Sequence, residues 1–308
     1  MVSEGRVALA LPTSSGQPAA TERHSLRAVD WLLLGYLSIV SVVAVIRART
    51  QPDCWWLLLA HALFVLFLLL LTRHGSGRVG RTIRELYPIL LLLAFYSELD
   101  VLTSSSTPVY DRTIQRWELL VFGAQISREW WQSAPSRFWS TLLHAAYLSY
   151  YFIISAPAFF FAWRGDLLAV RRFVLVVMVT FVLCYLVFIF FPVAGPYYTF
   201  PRPADWFTDN WAARLVYQAL AAGSSYGAAF PSSHVAAALA ATLSAARVSR
   251  KLGLFLLVPT ILLTIGVVYC QMHYGVDALA GLMIGAMVTW VLTRKGVSGN
   301  GGSASGYK

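Results

Sequence analysis

FVLVVMVTFVLCYLVFIFF, residues 173–191, runs for nineteen positions without one charged side chain. At about 1.5 Å per residue a helix of that length reaches ~28 Å, close to the thickness of a bilayer's hydrocarbon core. Seven other apolar segments flank it, at about 29–46, 54–72, 86–102, 139–163, 233–249, 252–271 and 273–293, of which 233–249 is short. The composition agrees: 58% of the 308 residues are hydrophobic, 12% are charged and the mean hydropathy is +0.63, which excludes a soluble globular domain. The reading is an all-α polytopic integral membrane protein with about eight transmembrane helices.

A net charge of +10 raises nucleic acid as a partner, but the basic residues sit in short clusters between apolar runs, as topology signals do. With the N-terminus inside, the inner segments hold sixteen Lys and Arg and the outer ones eight. This bias places both termini in the cytoplasm and the loops around 103–138 and 192–232 on the extracytoplasmic side. Residues 1–27 lack an apolar core of signal-peptide length and read as a disordered cytoplasmic tail, and the Gly/Ser-rich residues 296–308 as a flexible one. Between them lie N-terminal transmembrane helices (28–102), an outer loop (103–138) and a helical core (139–295). Cys54, Cys184 and Cys270 have neither disulfide-framework nor metal-ligand spacing and are read as packing residues.

In the first outer loop, DRTIQRWELLVFGAQISREWW (111–131) interleaves tryptophans with charges, the pattern of an interfacial amphipathic helix. Plain anchoring at the membrane surface is the simpler explanation there, and a lipid-level entrance is the other.

Ionisable residues inside a membrane are expensive, so each needs a reason. His234 follows FPSS (230–233), where Ser232 or Ser233 can cap the sixth segment. Its imidazole then stands beside unpaired N–H groups at the positive end of the helix dipole, a ready site for an anion such as phosphate. His273 and Asp277 are four residues apart, on one face of the eighth segment if the helix begins by 273. A carboxylate on one ring nitrogen fixes the tautomer and frees the other nitrogen to attack or to accept a proton. Both segments start on the outer side, so the two histidines can meet. Gly275, Gly281 and Gly285, facing the alanines of 236–241, allow close helix packing. Glu98 and Asp100 read either as a polar wall of the site or as solvated, paired acids.

PSSH (231–234) followed by HYGVD (273–277) resembles the second and third motifs of the type-2 phosphatidic-acid phosphatase superfamily, closest to its inositol-phosphorylceramide-synthase-like branch. FPVAGPYYTFPRP (191–203) stands where that family keeps its first motif, and LLVFGAQISRE (119–129) echoes the same branch more weakly. The resemblance implies a six-helix phosphatase-type core, with His273 as nucleophile, Asp277 orienting and stabilising it, and His234 protonating the departing alcohol. It also exposes two departures. Gly195 and Val267 stand where the family pattern has a phosphate-binding Lys and Arg. Arg202 is then the expected cation, backed by Arg112 and Arg116, with Ser232, Ser233 and Tyr197 beside the phosphate.

The expected activity is transfer of a phosphoryl or phospho-alcohol group of a membrane lipid at the outer face, to water or to a lipid hydroxyl, without metal or cofactor. Two other readings stay open. The intramembrane acids and histidines could serve a proton-coupled transporter, although no inverted repeat is visible. Two His and one Asp could also hold zinc or iron.

Overall fold

The computed structural model describes residues 25–74, 77–103, 107–223 and 225–294. Most of the two expected tails therefore lies outside the described residues. Residues 25–27 do not behave as a tail: Arg27 caps the first helix through Asp30 and pairs with the buried Glu85 at 2.9 Å.

The described residues are overwhelmingly helical. The N-terminal part comprises α1 (Ala28–Arg47), α2 (Cys54–His74), α3 (Gly77–Leu90) and α4 (Leu92–Leu102). The first connecting region carries α5 (Asp111–Phe122) and α6 (Ile126–Ser133). There follow α7 (Arg137–Leu148), α8 (Tyr150–Trp163) and α9 (Leu167–Phe190). The second connecting region forms the single turns α10 (Pro196–Thr199) and α11 (Asp205–Thr208), then α12 (Trp211–Gly223). The chain closes with α13 (Ser233–Val248), α14 (Arg250–Tyr269) and α15 (Gly275–Arg294).

Six stretches are long and apolar enough to cross a membrane: α1, most of α2, α7 with α8, α9, α14 and α15. The two remaining expected segments depart from a plain span for local reasons. Residues 86–102 belong to a longer path, from Gly77 to Leu102, that is interrupted at Leu91 between α3 and α4. This path starts at Gly77 because its first half, with Arg78, Arg81 and Arg84, is amphipathic rather than apolar. α13 has only 16 residues and is buried along most of its length between α9, α14 and α15.

Small residues make that central position available. A Cβ on Gly281 would stand 2.6 Å from the Ser232 carbonyl oxygen, and one on Gly285 would collide with that of Ala236, so α15 rests on the backbone of α13. The glycines read as packing residues are that. At one end of the bundle α9 finishes while α13 and α15 begin, and Ser232 N–H donates to the Asp277 carbonyl at 3.0 Å. This contact joins the starts of the two helices that carry the histidines.

Candidate active site

Of the two serines expected to cap α13, Ser232 does so, its Oγ accepting from Val235 N–H, and it is fully buried with Ser233 nearly so. His234 therefore leaves the first turn of α13, stacked on Tyr147 with ring centroids 4.9 Å apart and tilted against Tyr150 at 4.5 Å. Its Nε2 lies 3.2 Å from the Tyr147 hydroxyl, and its Nδ1 is buried without a hydrogen-bond partner. The His273 ring faces it at 5.6 Å between centroids. The two histidines do meet.

The helical pairing expected for His273 and Asp277 is not how they meet. α15 begins at Gly275, so His273 lies in the connector before it. The connector folds back at Gln271, whose φ is +59°. This left-handed conformation is unusual for a non-glycine residue and is held at both ends of the side chain. Trp131 Nε1–H donates to its Oε1 at 3.1 Å, and its own Nε2–H donates to the Pro201 carbonyl at 2.8 Å. The Val267 carbonyl then accepts from both Met272 and His273 N–H.

Here the tautomer is set by a carbonyl rather than by the carboxylate. His273 Nδ1–H donates to Ala229 O at 2.9 Å, while Asp277 Oδ2 stays 3.6 Å from the same nitrogen and accepts from Tyr274 N–H at 2.8 Å. Asp277 Oδ1 is buried without a partner. Nε2 of His273 is left free, and burial lowers this imidazole's pKa to about 4, so the ring is neutral with an available lone pair at physiological pH.

The segment read as a membrane anchor reaches into the site. On α5, Asp111 and Glu118 are buried on one face two turns apart, while Leu120 on the opposite side is exposed and Trp117 packs on Phe191 and Phe230. Asp111 accepts from the N–H groups of Ala194 and Gly195, both at 2.8 Å, and from the Tyr274 hydroxyl at 2.9 Å. Glu118 accepts from Ser127 N–H at 3.0 Å and Gly275 N–H at 3.3 Å, and burial pushes its pKa above the usual carboxylate value. The two acids thus clip the first-motif loop and the His273 connector to a single helix. Gly275 permits the approach, since a Cβ there would meet Phe122 at 2.7 Å.

The expected cations are less central. Arg202 is exposed and leans on Tyr197, with its guanidinium carbon 5.6 Å from the ring centroid. Arg112 and Arg116 are exposed, turned away from the buried face of α5. Arg128, which the sequence did not single out, lies over Phe200, itself edge-on to Tyr274 at 5.9 Å. The two departures from the phosphatase pattern are built into the packing. Gly195 has φ +94° and would press a Cβ to 2.8 Å from that of Ala229, and Val267 is fully buried in α14. A side chain at Gly195 would be strained, and a longer one at position 267 would have to displace buried neighbours.

His234 and Ser233 also line a cavity of about 290 Å³ that runs between α4, α8 and α12, walled by Tyr96, Tyr147, Tyr150, Tyr151 and Tyr185. Sequence reading missed these tyrosines, although YLSYYF (147–152) was an aromatic run in plain view. Among the described residues no three His, Cys, Asp or Glu side chains are grouped as metal ligands.

A family model described as the PAP2 superfamily matches residues 112–291, more than half of the chain. The chain belongs to the PAP2 superfamily. No curated protein and no solved structure matches it. PAP2 membership supports a phosphatase-type activity on a phosphorylated substrate in a membrane-associated, helical protein. The PAP2 match begins inside α5, so α1 to α4 precede the matched residues.

Proposed function

We propose that this protein is a membrane lipid phosphatase or phosphotransferase in which His273 is the nucleophile. The observation that carries this reading is the pair of histidine rings 5.6 Å apart, one with a free Nε2 and the other opening on a tyrosine-walled cavity between helices. The cavity suits the lipid portion of a substrate whose phosphate sits between the rings.

In the reaction, the Nε2 lone pair of His273 attacks phosphorus and the phosphorus–oxygen ester bond breaks. His234 takes up a proton from water as the substrate binds, because the substrate's negative charge favours its imidazolium form. Nε2–H then donates to Tyr147, and the proton on the unpartnered Nδ1 passes to the leaving oxygen. Neutral His234 next removes a proton from the acceptor, which attacks the phosphohistidine and releases His273. Asp277, 3.6 Å from Nδ1, balances the positive charge that phosphorylation places on the ring. First-turn N–H groups of α13, at Ser233 and His234, and the guanidinium of Arg202 neutralise the phosphoryl oxygens.

Water as acceptor gives a phosphatase, and a lipid hydroxyl gives a transferase of the inositol-phosphorylceramide-synthase kind. Purified protein presented with a panel of phosphorylated lipids distinguishes them by free phosphate against lipid product. Turnover of none of these lipids, with phosphorylated water-soluble substrates consumed instead, would overturn the lipid reading.

A further inference from the structure

α4 separates two cavities. Its Leu92, Leu93 and Tyr96 face the tyrosine cavity, whereas Ala94, Phe95, Glu98 and Val101 line a second cavity of about 510 Å³ shared with α1 and α2. This second cavity lies wholly in the segments that precede the family match. It is walled by apolar side chains, yet its floor holds His61 and Glu98, only 6% and 7% exposed.

The floor is not a closed ion pair. His61 Nδ1 lies 2.7 Å from Ser41 Oγ, and its Nε2 only loosely approaches Glu98 Oε1 at 3.5 Å. Glu98 Oε2 is buried with no hydrogen-bond partner, and the Tyr36 hydroxyl of α1, which faces the same carboxyl, is buried without one too. A pair serving only to tie α2 to α4 would satisfy that oxygen, because an unpaired buried acceptor costs about 1–3 kcal/mol. The catalytic scheme does not use these groups, and ionisable residues at such a depth call for a function.

We propose that this cavity is a second lipid site that takes an uncharged long-chain alcohol, with the hydroxyl on Glu98 and His61 and the chain among Leu57, Phe64 and Phe95. A hydroxyl is donor and acceptor at once. It donates to Glu98 Oε2 and accepts from the His61 Nε2–H that remains when Ser41 holds Nδ1. An anionic head is opposed by the carboxylate, and no Lys or Arg is among the lining residues. An ammonium would pair with Glu98 but leave the His61 donor unanswered. The site does not depend on the phosphoryl chemistry above. That reading supplies only a source, since cleaving a phosphorylated lipid releases an alcohol of this class.

The test uses the full chain in lipid nanodiscs with a diazirine-bearing hexadecanol as photoprobe. Labelling is expected to saturate and to map to peptides of α2 and α4. Unlabelled hexadecanol should compete, whereas hexadecyl phosphate and hexadecylamine should not. Glu98→Leu, and Ala94→Trp, which fills the cavity from an exposed position, should each reduce labelling at least tenfold. If Glu98→Leu proves misfolded, Ala94→Trp decides alone. His273→Ala should label as wild type, so loss of the phosphoryl reading shows in turnover and loss of this one in labelling. Labelling that does not saturate, survives Ala94→Trp, yields equally to phosphate or amine, or maps only to residues 147–155 overturns the proposal.

Discussion

His273 can carry a phosphoryl group only while one ring nitrogen keeps its lone pair exposed, and the carbonyl of Ala229 secures this by holding the proton on the other. His273→Ala is accordingly expected to abolish turnover while leaving the protein monodisperse in detergent, and normal turnover would end the nucleophile assignment. Because Ala229 already fixes the tautomer, Asp277→Asn should act through charge rather than orientation. Turnover is expected to fall by about ten- to a hundredfold with KM nearly unchanged, read from steady-state kinetics. Arg202 has no rigid partner but Tyr197, so its role rests on the fork geometry of its guanidinium. If it binds phosphate in that way, Arg202→Lys should lose much of the activity despite keeping the charge. Wild-type turnover in Arg202→Ala would instead shift attention to Arg128, which lies over Phe200, a ring edge-on to Tyr274.

At the scale of elements, α5 explains how an amphipathic helix and the connector that carries His273 come to be one unit. Its wet-looking sequence hides two buried carboxylates, and each closes backbone donors that would otherwise be orphaned. Removing Glu118 leaves the N–H groups of Ser127 and Gly275 unpaired, at about 1–3 kcal/mol for each buried group. Glu118→Ala should therefore lower the thermal midpoint in detergent and reduce kcat more than it raises KM. Glu118→Gln, which keeps an acceptor oxygen, should recover most of both. The control is Glu129→Ala on α6, an exposed acid expected to behave as wild type. Charges on α5 were legible as an amphipathic pattern, but periodicity could not say which of them face inward. That depends on Gly275 leaving room for α5 against α15.

For the whole molecule, the distribution of Lys and Arg argues that the end of the bundle bearing His234 and His273 faces away from the cytoplasm. In a background lacking Cys54, Cys184 and Cys270, Asp205→Cys should react with an impermeant thiol reagent in intact cells and Gly80→Cys should not. The reverse pattern would put the site in the cytoplasm. The sequence by itself determined the helical membrane class and the positions of most apolar segments, offered Ser232 or Ser233 as the cap, and singled out His234, His273 and Asp277 as candidates, because each is written in local composition or in fixed motif spacing. Tertiary structure alone decided that Ala229, forty-four residues from His273, holds its proton, and that Asp111 and Glu118 brace the connector. It also decided that Gly195 takes a left-handed conformation against Ala229, that Val267 is buried, and that five tyrosines wall a cavity at His234. These are contacts between segments remote in the chain, and no local pattern encodes which backbone carbonyl or buried carboxylate will arrive at a given side chain once the helices pack.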